Sequence, residues 1–429
     1  MRTELYAIAL LAALPAAGTA DNWPQFRGPN GDGQSGATGL PVTWSEAENI
    51  AWKTPIPGRG WSSPVVWGGQ VWLTTASADG KEMSAVCVDR DTAKVVHNVV
   101  LFRNPNPAEI NPVNSYASPT PAIEAGRVFV HFGTYGTACL DTETGRPIWV
   151  RRDLHCEHGV GPGSSPILAG GKLVLSYDGM DVQFVTALDP ATGRTLWKAP
   201  RDVDFANANG DFRKAFATPT LIRAARREQL VCPGAWFAFA YEPDTGKEIW
   251  RLRYGTGYSG ASRPVYAGGL VLLYSGFSRH ELYAVRPTGR GDVTESHVVW
   301  TFRGAPAKPS PLVVAEQVYL AQDRGVLTAL ELKTGERVYR QRLPSRCSAS
   351  PLYADGRIYV FDEKGATTVV RPGRAFEQLA LNRLADGCMA TPAVAGRALF
   401  VRTRTHLYRI EKQRVRGRDN PLPAVKPML

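Results

Sequence analysis

The chain has 429 residues, 44% of them hydrophobic and 21% charged, with a formal net charge of +11. That apolar content supports a large core and excludes a disordered chain. The 42 Gly and 32 Pro argue against a helical protein and suit many short strands joined by turns, while 6 Cys without paired CxxC spacing exclude a disulfide scaffold and a structural zinc ribbon.

At the amino end, Leu5 to Leu14 form an apolar run followed by Pro15 and small residues. The run is too short to span a bilayer and has the length of a signal-peptide core. Gly18-Thr19-Ala20 fits a small-x-small cleavage site, so residues 1–20 are predicted to be an export signal and the mature chain to begin near Asp21. No Cys follows the run to carry a lipid, and no later stretch has about 18 consecutive apolar residues, so an exported protein without a membrane span is expected. Residues 21–47 are read as an N-terminal extension.

From Ser62 onward one unit recurs. A step onto proline is followed by an apolar strand, a turn and a second apolar strand, with the prolines at Pro64, Pro121, Pro166, Pro219, Pro264, Pro311, Pro351 and Pro392. The spacing of 40 to 57 residues matches a four-stranded propeller blade. A second pattern follows each step: CLDTETGRPIW from Cys139, ALDPATGRTLW from Ala187, AYEPDTGKEIW from Ala240 and ALELKTGERVY from Ala329, with a degenerate CVDRDTAKVVH from Cys87. Strand, acid, Thr-Gly turn, strand and aromatic describe a β-hairpin in which Gly145, Gly193, Gly246 and Gly335 supply positive φ. Its closing aromatics, Trp149, Trp197, Trp250 and, in blade five, Trp300, are expected to lie over the neighbouring blade. The eighth copy lacks its outer strand, and Asn49-Ile50-Ala51-Trp52-Lys53 can supply it, with Trp52 in the docking position. The predicted fold is all-β: a single eight-bladed β-propeller of four-stranded antiparallel blades over residues 48–411, closed by an N-terminal strand that removes the exposed edge. Residues 412–429, carrying Lys412, Arg414, Arg416, Arg418 and Lys426 against Asp419, are read as a basic disordered tail.

The A-x-D-x-x-T-G-x-x-x-W motif resembles the pyrroloquinoline-quinone (PQQ) repeat. That repeat builds quinoprotein alcohol dehydrogenases and the outer-membrane assembly propeller lipoprotein. The whole chain is most similar to exported PQQ-like β-propeller repeat proteins of planctomycete-type bacteria. Trp23-Pro24-Gln25-Phe26-Arg27-Gly28-Pro29 resembles their N-terminal motif, and Arg286 to Thr294 resembles their blade-five insert. The resemblance implies a fold more than a function, because propellers host unrelated activities.

The loops that lead into inner strands, and those between second and third strands, share one face around the channel. That face offers ligand-binding candidates in His131, Tyr135, His155, His158, Asp178, Asp181, Trp236, Arg279, Arg324, Arg346 and Arg404. Its cationic balance suits an acidic ligand. Quinoprotein chemistry, as the resemblance implies it, needs a carboxylate base, Ca²⁺ on carboxylate and amide oxygens, a flat aromatic floor and adjacent cysteines. The chain has no Cys-Cys dipeptide, and Asp178/Asp181 and Asp204/Asn207/Asn209/Asp211 are only weak oxygen-ligand groups. PQQ and Ca²⁺ are therefore expected to be absent. No metal is expected, with His155, Cys156 and His158 as the weak candidates. No GxSxG, HExxH or P-loop occurs, and no catalytic residue is assigned. Cys347 and Cys388 stand at equivalent places in adjacent blades, so a disulfide between them is one reading. Cys87 and Cys139 are read as small core residues.

The leading expectation is a non-catalytic, monomeric binding or scaffold propeller of the envelope or extracellular space, taking a protein or polysaccharide partner and no nucleic acid. The alternatives are a PQQ-dependent oxidoreductase and a carbohydrate-binding propeller with Trp61, Tyr116, Tyr135, Trp236 and Tyr258 as stacking platforms.

Overall fold

The computed structural model of the protein describes residues 22–206 and 208–413. The expected export signal, Asp21, Asn207 and the tail from Arg414 onward lie outside the described residues. No helix among the described residues is long and apolar enough to cross a membrane.

Eight antiparallel four-stranded sheets form a propeller ring. In blade three, Ile167–Ala169 lines the channel, followed outward by Lys172–Asp178, Gln183–Leu188 and Thr195–Pro200. The middle strands are buried on both faces, whereas outer strands alternate exposed and half-buried residues. The core is therefore a set of apolar layers between blades, with Val, Leu, Ala and aromatic residues from two sheets in each.

Ile50–Pro55 is the outer strand of blade eight. It pairs antiparallel with His406–Glu411, with Lys53 opposite Tyr408 and Thr54 opposite Leu407. The ring is therefore sealed by the N-terminal strand that the incomplete eighth repeat requires. Arg402, buried in blade eight, reinforces the seam by donating to the Ser62 hydroxyl at 2.6 Å and the Thr74 carbonyl at 2.8 Å in blade one.

The repeat's tryptophans dock as their spacing implies. Trp52, Trp149, Trp197 and Trp300 each donate Nε1–H to a backbone carbonyl in the turn of the next blade: Arg90, Pro190, Pro243 and Leu332, at 2.8–3.0 Å. The Thr-Gly glycine beneath each ring is a close approach as well as a turn. A Cβ at Gly193 would sit 2.7 Å from the Trp149 ring, and one at Gly246 would sit 2.5 Å from Trp197. Gly335 lies likewise under Trp300, and Gly145 under His97, the residue that replaces Trp in blade one. Trp250 departs from the pattern. Its Nε1 donates to Gln229 within its own blade at 2.7 Å; the Thr288-Gly289 turn of blade five does not lie beneath it, since Gly289 packs against Val293 and His297 of the insert. The insert of blade five instead adds Gly291–Asp292 as a short parallel strand on the outer edge of blade four and packs Val293 into the same layer.

A hydrogen-bonded belt runs around the channel through the residues that precede the repeat prolines. Each backbone N–H donates to the next blade's hydroxyl: Ser63 to Thr120, Thr120 to Ser165, Ser165 to Thr218, Ser310 to Ser350, Ser350 to Thr391 and Thr391 back to Ser63, at 2.9–3.1 Å. Arg263 stands where blade five should carry a hydroxyl. It donates its own N–H onward to Ser310 at 2.9 Å, but it offers blade four no hydroxyl.

The side chain of Arg263 instead holds a plug. Residues 22–40 enter the channel from the face of the first-to-second-strand turns, where Asn22 accepts the Gly68 N–H. They pair with blade one through Trp23 and Val66, and accept the Ile123 N–H of blade two at Pro24. They then cross to blades five and six. There Arg263 donates to Thr220 and to the Phe26 carbonyl, while Arg27 donates to the Pro311 carbonyl at 2.8 Å. The segment leaves along blade seven, with Gln34–Ser35 parallel to Leu352–Ala354. Trp44 then stacks on Tyr359 and Phe361, covering the blade whose own Thr-Gly-Trp form is lost.

All six cysteines are free and buried. Cys347 and Cys388 are not bridged; Cys388 lies against the Ala390 and Arg402 carbonyls while Cys347 packs in a different layer. Cys87 and Cys139 sit in the core.

Candidate functional site

The plug makes the channel a blind cup. On the face of the loops that lead into the inner strands, a cavity of about 780 Å³ opens, with Phe26 and belt hydroxyls of Ser63, Thr120, Ser165 and Thr218 among its lining. Its wall has two halves. Blades six and seven contribute Lys308, Arg324 and Arg346, and a recess beside it adds Arg404 and Arg59. Blades four and five contribute Phe216, Tyr258 and Phe277. Phe212, Tyr258 and Phe277 meet edge to face, with centroids 4.9 and 5.9 Å apart.

Two carboxylates of this region are engaged, and the third, Asp323, keeps its buried Oδ1 without a hydrogen-bond partner among the described residues. Asp211 pairs with Lys214, whose side chain is buried. Glu363 accepts from Ser348 at 2.5 Å and lies 3.3 Å from Lys308 Nζ, and despite its burial these donors hold its carboxyl below the ordinary range. Asp323 accepts the Ala307 N–H at 2.7 Å, and burial raises its pKa. By contrast, Arg324, Arg346 and Arg404 are exposed and make no ion pair or side-chain hydrogen bond among the described residues.

Several sequence candidates are placed elsewhere. His131 is 2% exposed, bonds Thr137 Oγ1 at 2.8 Å and is held to about 3 by burial. Asp178 is buried in an ion pair with Arg201 Nε at 2.5 Å; burial pushes its carboxyl up and the guanidinium opposes this. Tyr135 is buried against Tyr116, and Trp236 packs edge to face on Phe205. Position at the end of a second strand fixes the face of the ring but not the depth: His131, Tyr135 and Asp178 are buried and Trp236 is half-buried. Asp181 accepts the Glu157 N–H, and Arg279 pairs with Glu281. None of these lines the cup.

The His155-Cys156-Glu157-His158 turn is a local structure. His158 Nε2 accepts the Thr134 N–H at 3.0 Å, His155 Nδ1 meets Thr134 Oγ1 at 3.2 Å, and Cys156 Sγ lies 3.6 Å from His158 Nδ1. Burial lowers His158 to about 4 and raises the Cys156 thiol. A histidine whose ring nitrogen already accepts a backbone N–H is a poor metal ligand.

The donor set does not fit a Ca²⁺-bound quinone. Such a site needs several oxygen ligands on one ion beside a flat aromatic, and no three of His, Cys, Asp and Glu come together among the described residues. Weak groups Asp178/Asp181 and Asp204/Asn209/Asp211 are each taken up locally: Asp204 accepts from Ala206 and Asn209 from Asp211.

Sequence reasoning did not find Phe26, Phe277, His280 or Met389, all of which line the cup. Phe277 and His280 carried a signal, since they flank Arg279 in a second-to-third-strand loop. Phe26 carried none, because its place depends on blades that follow some 200 residues later.

The sequence profile of the outer membrane protein assembly factor BamB family matches residues 46–235 and 185–414. No curated protein matches the sequence. Among solved structures, BamB from Moraxella catarrhalis superposes with a TM-score of 0.59 at 14% identity, over 84% of this chain and 99% of that one. A europium-containing methanol dehydrogenase gives 0.64 at 13%, over 90% and 89%. The quinohemoprotein alcohol dehydrogenase of Comamonas testosteroni gives 0.64 at 13%, over 97% and 83%. At such identities these likenesses establish the fold alone.

Proposed function

Because this chain belongs to the outer membrane protein assembly factor BamB family, we propose that it is a non-catalytic binding propeller of the cell envelope, whose docking surface is the cup. In this reading residues 1–20 direct export, the protein works as a monomer in the periplasm or outside the cell, and its partner is a protein. The observation that carries the reading is the imbalance of the cup: among the described residues Arg324, Arg346 and Arg404 stand exposed with no ion pair or side-chain hydrogen bond, while Asp211 and Glu363 pair with lysines and Asp323 is buried with its pKa raised. Unpaired guanidinium groups on a rigid concave frame attract and fork onto carboxylates. The belt of hydroxyls and the buried plug supply that rigidity. Against the oxidoreductase alternative stands the cup's donor set, which offers a hard cation too few free oxygens.

The test is capture of partners from an envelope fraction by the wild-type protein, by an Arg324→Glu/Arg346→Glu/Arg404→Glu variant and by a Val96→Glu/Leu196→Glu variant on the outer strands. Loss of the captured protein in the first variant only is expected; loss in the second only would overturn the site. Addition of PQQ and Ca²⁺ with an alcohol and an acceptor dye is expected to give no reduction above the apo control.

A further inference from the structure

We infer that the cup's occupant is a short acidic protein segment that also presents an aromatic or large apolar side chain, bound with its carboxylates on the blade six-to-eight arc and that side chain against Phe277. This deepens the binding reading above and rests on it. The cationic arc accounts for the acidic character. The opposite wall accounts for the rest: Phe277 is 53% exposed on the cup lining, and Phe212, outside that lining and 42% exposed, joins it around Tyr258 in an edge-to-face row. Large apolar side chains left open inside a concavity, beside unpaired cations, mark a binding surface rather than ordinary surface scatter.

The shape selects the class of occupant. The cup is closed below by Phe26 and the belt, so it receives a chain end or loop tip and not a strand passing through. Its volume of about 780 Å³ lies in the range that encloses a small ligand or a few residues. A sugar would need an open flat ring, and the aromatics named for that role do not present one. Arg59 covers Trp61 at 5.1 Å. Tyr258 is edged by Phe212 and Phe277, with Lys214 Nζ 5.9 Å from its centroid. Tyr116 and Tyr135 are buried against each other. The edge-to-face row suits an inserted aromatic side chain instead.

The inference is tested by fluorescence polarisation with a labelled hexapeptide of Asp and Glu carrying one central Phe. The comparisons are the same peptide with Ser for Phe, a Lys counterpart, and a labelled oligouronate. The Phe peptide is expected to bind about tenfold more tightly than the Ser peptide, the difference expected from desolvating one aromatic side chain. Phe277→Ala, an exposed change that leaves the fold intact, is expected to erase that difference. Arg324→Glu/Arg346→Glu is expected to weaken both acidic peptides, with thermal unfolding unchanged. Equal binding of the Phe and Ser peptides, or binding of the oligouronate in their place, would overturn the inference. If no peptide binds while the cup charge reversals still abolish capture of the envelope partner, the inference falls and the binding reading stands.

Discussion

The plug gives the sharpest quantitative prediction, through Arg263. This side chain is 1% exposed and joins three elements: it donates to Thr220 Oγ1 at 3.0 Å, to the Phe26 carbonyl, and to Gln25 Oε1 at 3.4 Å. Hydrogen bonds from a charged donor contribute roughly 1.5–3 kcal/mol each, so the three together are worth about 5–9 kcal/mol. Burial opposes them. It lowers the guanidinium from 12.5 to about 9, which at 1.36 kcal/mol per pH unit is a cost of about 5 kcal/mol. Replacing Arg263 by Met removes both the bonds and the cost, and leaves the Phe26 carbonyl buried without its donor. The bonds and the cost differ by about 0–4 kcal/mol and the unpaired Phe26 carbonyl adds roughly 1 kcal/mol, so the expected net loss is about 1–5 kcal/mol, concentrated in the plug. The assay is amide hydrogen exchange. The Ile123 and Tyr353 amides donate to Pro24 and Gly33 of the plug, so both should exchange faster in Arg263→Met, while amides within blades keep their protection. Unchanged exchange at both amides would refute the view that Arg263 holds the segment in the channel.

Two further predictions probe the layers between blades. Gly193→Ala should lower stability by about 2–4 kcal/mol, from left-handed backbone strain at φ +72 and from displacing the Trp149 ring 2.7 Å from the new Cβ; Gly171→Ala, at φ +70 with nothing within 4 Å, should show only the strain, and equal urea midpoints for the two variants would contradict the docking account. His131, held to about 3 by burial, has a depressed folded-state pKa. Its contribution is therefore full above pH 6.5 and is lost as pH falls from 6.5 toward 3, about 2 kcal/mol by pH 5. His131→Gln should flatten that acid limb in urea titrations, and parallel limbs for the two proteins would contradict the assignment.

The architecture was legible because each blade repeats its punctuation. The proline steps mark the inner strands, and the acid-x-x-Thr-Gly turns mark the outer hairpins. The incomplete eighth copy pointed directly to Trp52. The glycines were visible as turn residues, yet their second role, as floors for the neighbouring indoles, needed the three-dimensional stacking. Trp250 packs against blade five as its spacing implies, but the turn of its indole N–H back to Gln229 of its own blade was not legible, because it depends on how the blade-five insert is placed. The plug was not legible. Trp23 to Pro29 has no periodicity, and its partners Arg263, Pro311 and Tyr353 lie far along the chain. The one clue was Arg263 itself, the only step residue before a repeat proline that is neither Ser nor Thr. On the cup's face, the exposed positions of Arg324, Arg346 and Arg404 were legible because loop cations need no partner to be placed. It misplaced His131, Asp178, Tyr135 and Trp236, because loop position does not reveal which side chains fold inward.

The claim that a partner occupies the cup is tested most directly by site-specific photo-crosslinking in the native cell envelope. A crosslinking side chain placed at Arg346, in the cup, is compared with one at Leu196, 42% exposed on an outer strand. A discrete protein adduct from position 346 and none from position 196 is the expected result. An adduct from the outer strand alone would contradict the account.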